Sequence, residues 1–446
     1  MKRIINKLEI DNALLWVLTN KLWAVAKGPI SLIFIISFLS PEEQGLWYTF
    51  GSLGALTVFA EMGFTSIITQ FVSHEYAHFS EQNGFLKGKY ENRDRLVSLI
   101  RYALKFYLIV VPLAIVLLYF VGKYFLVDVD STVFLLWMLF SVTGGMQLLV
   151  SLLQSIVQGF DKIALVQKNI FIGSLVLPLL NWTLLYLGFG LSTLVIANIV
   201  SIVLMLSLFY LKTKKIFFQV SKHKIKIKYK WFNEIVKLQW KYAVSWMAGY
   251  FIFQFMTPMI YKHEGSVLAG QFGLTLSLIK TISGISGSWL ETKVPKMNML
   301  IAHKDRVSLN HMFKKNALIG FFIFLGISAV FLLAIYLINN YNFYAERFLP
   351  LYLAFLLIVL EIPNVITGYL AKYLRAHKEE PYYAISVLMG VLFFFIISLL
   401  SFEKYRIEEV VLFLNIASWL VILPLAVYIF KKFKIKYDKD IHVNSK

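Results

Sequence analysis

The chain has 446 residues, of which 59% are hydrophobic and only 15% charged, against roughly 45–50% and about 25% for an ordinary soluble domain. That much apolar surface cannot be hidden in a water-soluble globule, which excludes an ordinary cytosolic enzyme, a disordered chain and a secreted disulfide scaffold. With no cysteine there is no thiolate metal site and no cysteine nucleophile. The net charge of +19 would suggest nucleic acid in a soluble protein, but its placement along this chain points to a membrane surface, with no nucleic-acid partner.

A bilayer core of about 30 Å needs roughly 20 mostly apolar residues as helix. The runs 131–160, 169–211, 242–261, 316–345, 381–402 and 410–430 contain no Asp, Glu, Lys or Arg. The second of these would make a helix of about 65 Å, so it is two crossings with a turn at Gly188-Phe189-Gly190. The reading gives an all-α polytopic membrane protein with twelve transmembrane helices: 13–39, 44–73, 96–121, 131–157, 164–187, 191–211, 236–261, 266–290, 315–338, 349–373, 382–402 and 409–430. The first apolar run is too long for a signal-peptide core and is followed at once by another span, so no cleavable leader is expected. With the N-terminus inside, alternate connections and the span ends beside them carry 34 Lys and Arg on the cytoplasmic side against 5 outside, which puts both termini in the cytoplasm.

In chain order, the first span carries Asn20, Lys27 and Ser31 on one face, with Lys21 nearer the cytoplasm. The second has Gly54, Glu61 and Thr65 on one face and ends in His74-Glu75-Tyr76-Ala77-His78, an H-E-x-x-H match. On a helix that spacing suits a zinc protease, but a third ligand is needed, and Glu91 and Asp94 carry no motif. Chance occurrence in an interfacial segment is the plainer reading, and no metal is expected. Arg101 and Lys105 of the third span lie one turn apart, placed to snorkel to inner-leaflet phosphates. The fourth carries Gln147, Ser151, Gln154 and Gln158, a stripe that suits either a hydroxylated solute or bonds between helices.

The basic segment 212–235 reads as a linker held at anionic lipid between an N-lobe (1–211) and a C-lobe (236–446). Phe50-Gly51 and Phe272-Gly273 align at an offset of 222, a faint repeat of the two halves. The eighth span carries Gly273, Ser277, Lys280, Gly284, Gly287 and Glu291 on one stripe. The tenth carries Glu361, Gly368, Lys372 and Arg375, with Pro363 interrupting its ladder.

A charge at the middle of a membrane costs roughly 2.5–3.5 kcal/mol on insertion scales, so Lys27, Lys280, Glu61 and Glu361 should face the bundle interior or a wet cavity. A structural ion pair between Lys27 and Glu61 is the competing reading. No Walker phosphate loop is present and no cofactor is called for. Transport would then run on an ion gradient or downhill. Glu61 and Glu361 are the coupling candidates for protons or sodium, a structural role being the alternative for each.

The segments Leu39–Glu75 and Ala269–Leu300, and the G-x-x-K turn Gly159–Lys162 after the fourth span, resemble the polysaccharide-repeat (O-antigen type) flippases of the multidrug/oligosaccharidyl-lipid/polysaccharide exporter superfamily. The resemblance implies two six-helix lobes around a central cavity in a bacterial inner membrane. It implies as substrate an undecaprenyl-diphosphate-linked oligosaccharide, moved from the inner to the outer leaflet by alternating access. It also implies that Lys21, Lys27 and Lys280 meet the diphosphate, where relatives often have arginine; Gln147, Gln154 and Gln158 would serve the sugars. An efflux transporter for drugs or small solutes is the alternative, and an intramembrane zinc protease a more distant one.

Overall fold

The structure, a computed structural model, describes residues 12–443 apart from 83–84, 127–128, 228, 342–343, 378–381 and 403. Nine helices among the described residues are long and apolar enough to cross a membrane, or ten if the bent pair Pro41–Glu61 and Phe64–Tyr76 is one span. The chain is an all-α polytopic membrane protein. Two of the twelve expected spans fall short of that standard: the apolar part of the first helix is only Leu22–Phe38, and the seventh is interrupted after Phe253.

The first half runs α1 (Asn12–Phe38), α2 (Pro41–Gly54), α3 (Thr57–Glu61), α4 (Phe64–Tyr76), the hairpin β1 (Ser80–Gln82) and β2 (Phe85–Lys87), α5 (Tyr90–Phe125), α6 (Ser131–Gly159), α7 (Ile163–Tyr186) and α8 (Ser192–Lys222). The second runs α9 (Trp231–Phe253), α10 (Met256–Glu264), α11 (Ser266–Glu291), α12 (Val294–Ala302), α13 (Arg306–Asn340), α14 (Leu351–Ala376), α15 (Tyr383–Ser398), α16 (Ile407–Ala417) and α17 (Leu423–Val443). The chain forms two compact units, one from residues up to Ser40 with Phe50–Met247, the other from Pro41–Thr49 with Ala248 onwards.

In the first unit α1 packs on α7, and the sequence shows why. Pro178 inside α7 has no N–H, so the carbonyl of Ser174 loses its helical donor. The Trp23 indole of α1 supplies one instead, at 2.6 Å. Asn20 donates to the Gln167 carbonyl at 3.0 Å and Trp182 donates to Ser31 at 3.0 Å. Two of the polar residues on the first span's stripe therefore bind α1 to α7. α4, α5 and α6 close over Phe64, Ile67, Ile100, Tyr107 and Leu152, all fully buried.

The basic segment is not a slack linker. α8 continues through Lys222, and the chain beyond it is clasped to the start of α5. Buried Asp94 meets His223 Nε2 at 2.5 Å and accepts from the Lys226 and Ile227 amides at 2.8 and 3.0 Å. Arg101 does not snorkel: its guanidinium donates to the carbonyls of Val220, Ser221 and His223 at 2.8, 3.0 and 2.6 Å. These are carbonyls that the end of a helix leaves without donors. Lys105 is exposed.

In the second unit α11 packs on α10, α13 and α14. Gly273 of α11 lies so close to Tyr48 that a Cβ there would meet the Tyr48 Cβ at 2.5 Å, whereas Gly51, its partner in the sequence repeat, has open space around it. α14 repeats the device seen in α7. Pro363 frees the carbonyl of Val359, and the Trp419 indole fills it at 3.1 Å.

Candidate functional site

In each unit a polar cavity lies among the described membrane helices. In the first unit the second span breaks after Glu61. Met62 and Gly63 take left-handed backbone angles (φ 53° and 69°), and the helix bends by 47° across them. Left-handed backbone is natural for glycine and uphill for methionine, so Gly63 makes the break affordable. Glu61 is the last residue before the break and is buried. Its carboxylate accepts from the Thr65 amide at 3.3 Å and from the Thr65 hydroxyl. Buried Tyr107 sets its hydroxyl beside that carboxylate but outside hydrogen-bonding geometry. Glu61 opens into a cavity of about 310 Å3 with Thr57, Thr143, Gln147, Ser151 and Asn198. Among the described residues it has no lysine, arginine or histidine partner, so the ion pair with Lys27, the competing reading of the sequence, is not formed.

Lys27 is half-buried on α1 and makes no hydrogen bond or ion pair among the described residues. It lies on the helix that packs against α7, apart from the Glu61 cavity. Lys21 lies in the same helix, with its side chain outside the described residues. Of the glutamine stripe, Gln147 reaches the cavity, while Gln154 and Gln158 stand roughly two and three turns further along α6 and do not line it. None of the three bonds to another helix among the described residues. Thr69 Oγ1, donating to the Ser155 carbonyl at 3.3 Å, makes that tie between α4 and α6.

The second unit's cavity, also about 310 Å3, is lined by Lys280, Ser283, Gly284, Gly287 and Glu291 of α11 and by Asn364, Gly368, Tyr369 and Lys372 of α14. Glycines on the α11 stripe leave room, so the cavity follows directly from the spacing in the sequence. Lys280 Nζ sits 2.6 Å from Glu361 Oε2 and 4.6 Å from the centroid of the Phe253 ring. Asn364 donates to the same carboxylate oxygen at 3.1 Å. Lys372 Nζ donates to the Gly287 carbonyl at 2.6 Å and lies 3.6 Å from Glu291. The Lys280 side chain keeps 33% exposure while Glu361 keeps 7%, so the cation faces the cavity and its partner lies behind it. Glu361, a coupling candidate with a structural role as the alternative, is held in a pair.

The H-E-x-x-H match is otherwise engaged. Glu75 pairs with Arg95 at 2.7 Å and Asp94 with His223, and no group of three His, Asp or Glu among the described residues is placed to hold a metal.

This arrangement was compared with known proteins. No family model matches the chain, and no curated protein does. Solved structures do. A multidrug resistance MATE family transporter of the MOP superfamily, in its inward-facing conformation, matches at TM-score 0.64 and 12% identity, over 93% of this chain and 95% of that one. The lipid II flippase MurJ, in an inward closed conformation, matches at 0.59 and 14%, over 94% and 87%. The outward-facing conformation of a MATE transporter matches at 0.52 and 12%, over 95% and 97%. The chain has the MATE and MurJ fold. At these identities the likeness carries the fold alone.

Within that fold the two cavities offer opposite chemistry. The first presents an uncompensated carboxylate with hydroxyl and amide oxygens at a helix break, donors suited to a proton or a small hard cation. The second presents two ammonium groups, an amide and a hydroxyl, with the Glu291 carboxylate beside Lys372, and its donors suit a phosphorylated, hydroxylated solute. Asn364, Ser283, Tyr369 and Lys372 were not singled out as ligands from sequence. Lys372 alone gave a signal, three turns from Glu361 on the same stripe.

Proposed function

We propose that this protein turns an undecaprenyl-diphosphate-linked oligosaccharide from the inner to the outer leaflet of a bacterial cell membrane. It works by alternating access of its two halves (1–211 and 236–446, joined by 212–235), with both termini in the cytoplasm and a proton or sodium gradient as the drive. One observation carries this reading: Lys280 and Lys372 lie in a single polar cavity inside the membrane helices. The fold that the chain shares with a lipid II flippase supports it.

The Lys280–Glu361 pair supplies a route to coupling. A diphosphate entering the cavity competes with Glu361 for Lys280. Once Lys280 turns to the phosphate, a buried carboxylate loses its counter-charge, and a proton or sodium ion must restore it. Cargo binding and ion binding are thereby linked through one ammonium group.

A second reading, an efflux transporter for cationic compounds, draws on the Glu61 cavity, which has no basic partner among the described residues, and on the fold shared with MATE transporters. Substitution separates the two. Lys280→Ala should abolish surface polysaccharide in a strain that depends on this gene, with the amount of protein in the membrane unchanged. Normal polysaccharide in that variant would overturn the flippase reading. Drug resistance lost on Glu61→Gln, with polysaccharide intact, would establish the efflux reading.

A further inference from the structure

On the other face of α14 from the Lys280 cavity lies a second hollow, between α13 and α14. It has a volume of about 340 Å3 and is lined by Phe313, Lys314, Ala317, Leu318 and Phe321 of α13 and by Ile366, Tyr369 and Leu370 of α14. The α13 residues recur at steps of three and four, so they form one continuous apolar strip. Leu318 on that strip is 46% exposed, which opens the hollow sideways from the helix pair rather than into the core. Lys314 is the one charged residue among those that line it.

Tyr369 lines both this hollow and the Lys280 cavity. Its ring is buried between them. Its hydroxyl is hydrogen-bonded to Ser286 of α11, and Ser286 donates to the Gly320 carbonyl of α13 at 2.9 Å. Gly320 is required here, since a Cβ would meet the Tyr369 hydroxyl oxygen at 2.7 Å. One tyrosine thus forms the wall between an apolar, laterally open slot and a cavity with two lysines, and one hydrogen bond to Ser286 latches it.

We propose that the slot between α13 and α14 holds the phosphate-proximal isoprene units of the lipid cargo while its diphosphate lies against Lys280 and Lys372, with Tyr369 as the wall that the chain crosses. This rests on the flippase reading above. One feature selects a prenyl diphosphate as the occupant over a bilayer phospholipid: the slot shares its Tyr369 wall with the cationic cavity, so one molecule that carries a diphosphate directly on its apolar chain spans both. Tyr369 determines which lipids are accepted, by what it lets pass.

The test uses the full-length protein in nanodiscs of phosphatidylcholine. The probes are a photoactivatable farnesyl diphosphate, with the reactive group on the second isoprene unit, and a photoactivatable phosphatidylglycerol. The expected result is prenyl-probe labelling within 313–321 and 366–370. Undecaprenyl diphosphate should compete it away and phosphatidylglycerol should not, and Ala317→Trp, which fills the slot, should reduce it at least tenfold. Equal labelling by the phosphatidylglycerol probe, uncompeted by undecaprenyl diphosphate, would make the slot an ordinary lipid contact and overturn the proposal. So would prenyl labelling elsewhere in the chain. The failure of the parent reading looks different: no saturable binding of prenyl diphosphate at all, and no change on Lys280→Ala. Because tryptophan in a helix interface can perturb folding, Leu318→Phe serves as a milder second variant, expected to reduce labelling several-fold with unaltered thermal stability.

Discussion

The two cavities have nearly equal volumes and sit in units of similar construction, yet they differ in how charge is held. In the first unit Glu61 lies at a helix break with only hydroxyl and amide groups around it. In the second, each acid has a lysine: Glu361 with Lys280, and Glu291 with Lys372. A buried charge with a partner is stable but committed, and one without a partner is available. The comparison teaches that midplane charges in one fold can play opposite parts. The lone carboxylate invites a cation, and the paired lysine waits for a stronger anion than its carboxylate.

Removing the second unit's pair should have the largest effect. Lys280→Met with Glu361→Gln deletes both charges together, so no uncompensated ion remains and the protein should reach the membrane in normal amount. Transport of the lipid-linked sugar, read as surface polysaccharide, should fall at least tenfold. Full transport would show that the pair is structural and would erase the contrast between the cavities.

The next largest effect sharpens the other half. Glu61→Gln keeps an acceptor for Thr65 but removes the charge. It should weaken the dependence of transport on the proton or sodium gradient several-fold while leaving prenyl diphosphate binding unchanged. Undiminished gradient dependence would remove Glu61 as a coupling group and leave Glu361.

A smaller effect is expected at the carbonyls beside the two prolines. Trp419→Phe leaves the Val359 carbonyl of α14, two residues before Glu361, without a donor, and Trp23→Phe does the same to Ser174 of α7. Each should lower stability by about 1–3 kcal/mol, measured as thermal unfolding in detergent. Only the α14 variant should also alter transport, because α14 carries Glu361 of the cavity's ion pair and α7 carries no residue of either cavity.

The smallest effect lies outside the membrane. Asp305 caps α13 by accepting from the Ser308 amide at 3.0 Å, and the Ser308 bonds hold its carboxyl below the ordinary carboxylate range. The sign follows. The cap stabilises fully above the ordinary carboxylate pKa and is lost as pH falls through the lowered value of the folded state. Asp305→Ala should therefore reduce the melting temperature slightly at neutral pH and not at strongly acid pH. An equal loss at both would assign the effect to helix propensity instead.

Much of the fold was legible because bilayer thickness imposes a length and a composition on every span. The all-α polytopic architecture followed from that alone, but the break at Met62 and Gly63 inside the second span did not. What sequence could not supply was partnership. Asn20, Lys27 and Ser31 share a face, yet Asn20 and Ser31 bind α7 and Lys27 does not, because only a neighbour at the right height decides. Arg101 looked like a snorkelling residue, but it serves the end of a helix more than a hundred positions later in the chain. The Lys280–Glu361 pair joins residues 81 positions apart, beyond any helical periodicity. The proline-tryptophan ties were equally hidden, since the indole that completes each ladder comes from another helix.

The account stands on an anionic lipid cargo being recognised by the ammonium groups of the second cavity. The most direct measurement is the affinity of the purified protein for undecaprenyl diphosphate, in wild type and in Lys280→Ala, by titration calorimetry in detergent, with ethidium as the cationic control. The account predicts saturable binding of the diphosphate that weakens at least tenfold in the variant, and no effect of the substitution on ethidium. Equal diphosphate affinity in both proteins, or saturable binding of ethidium alone, would contradict it.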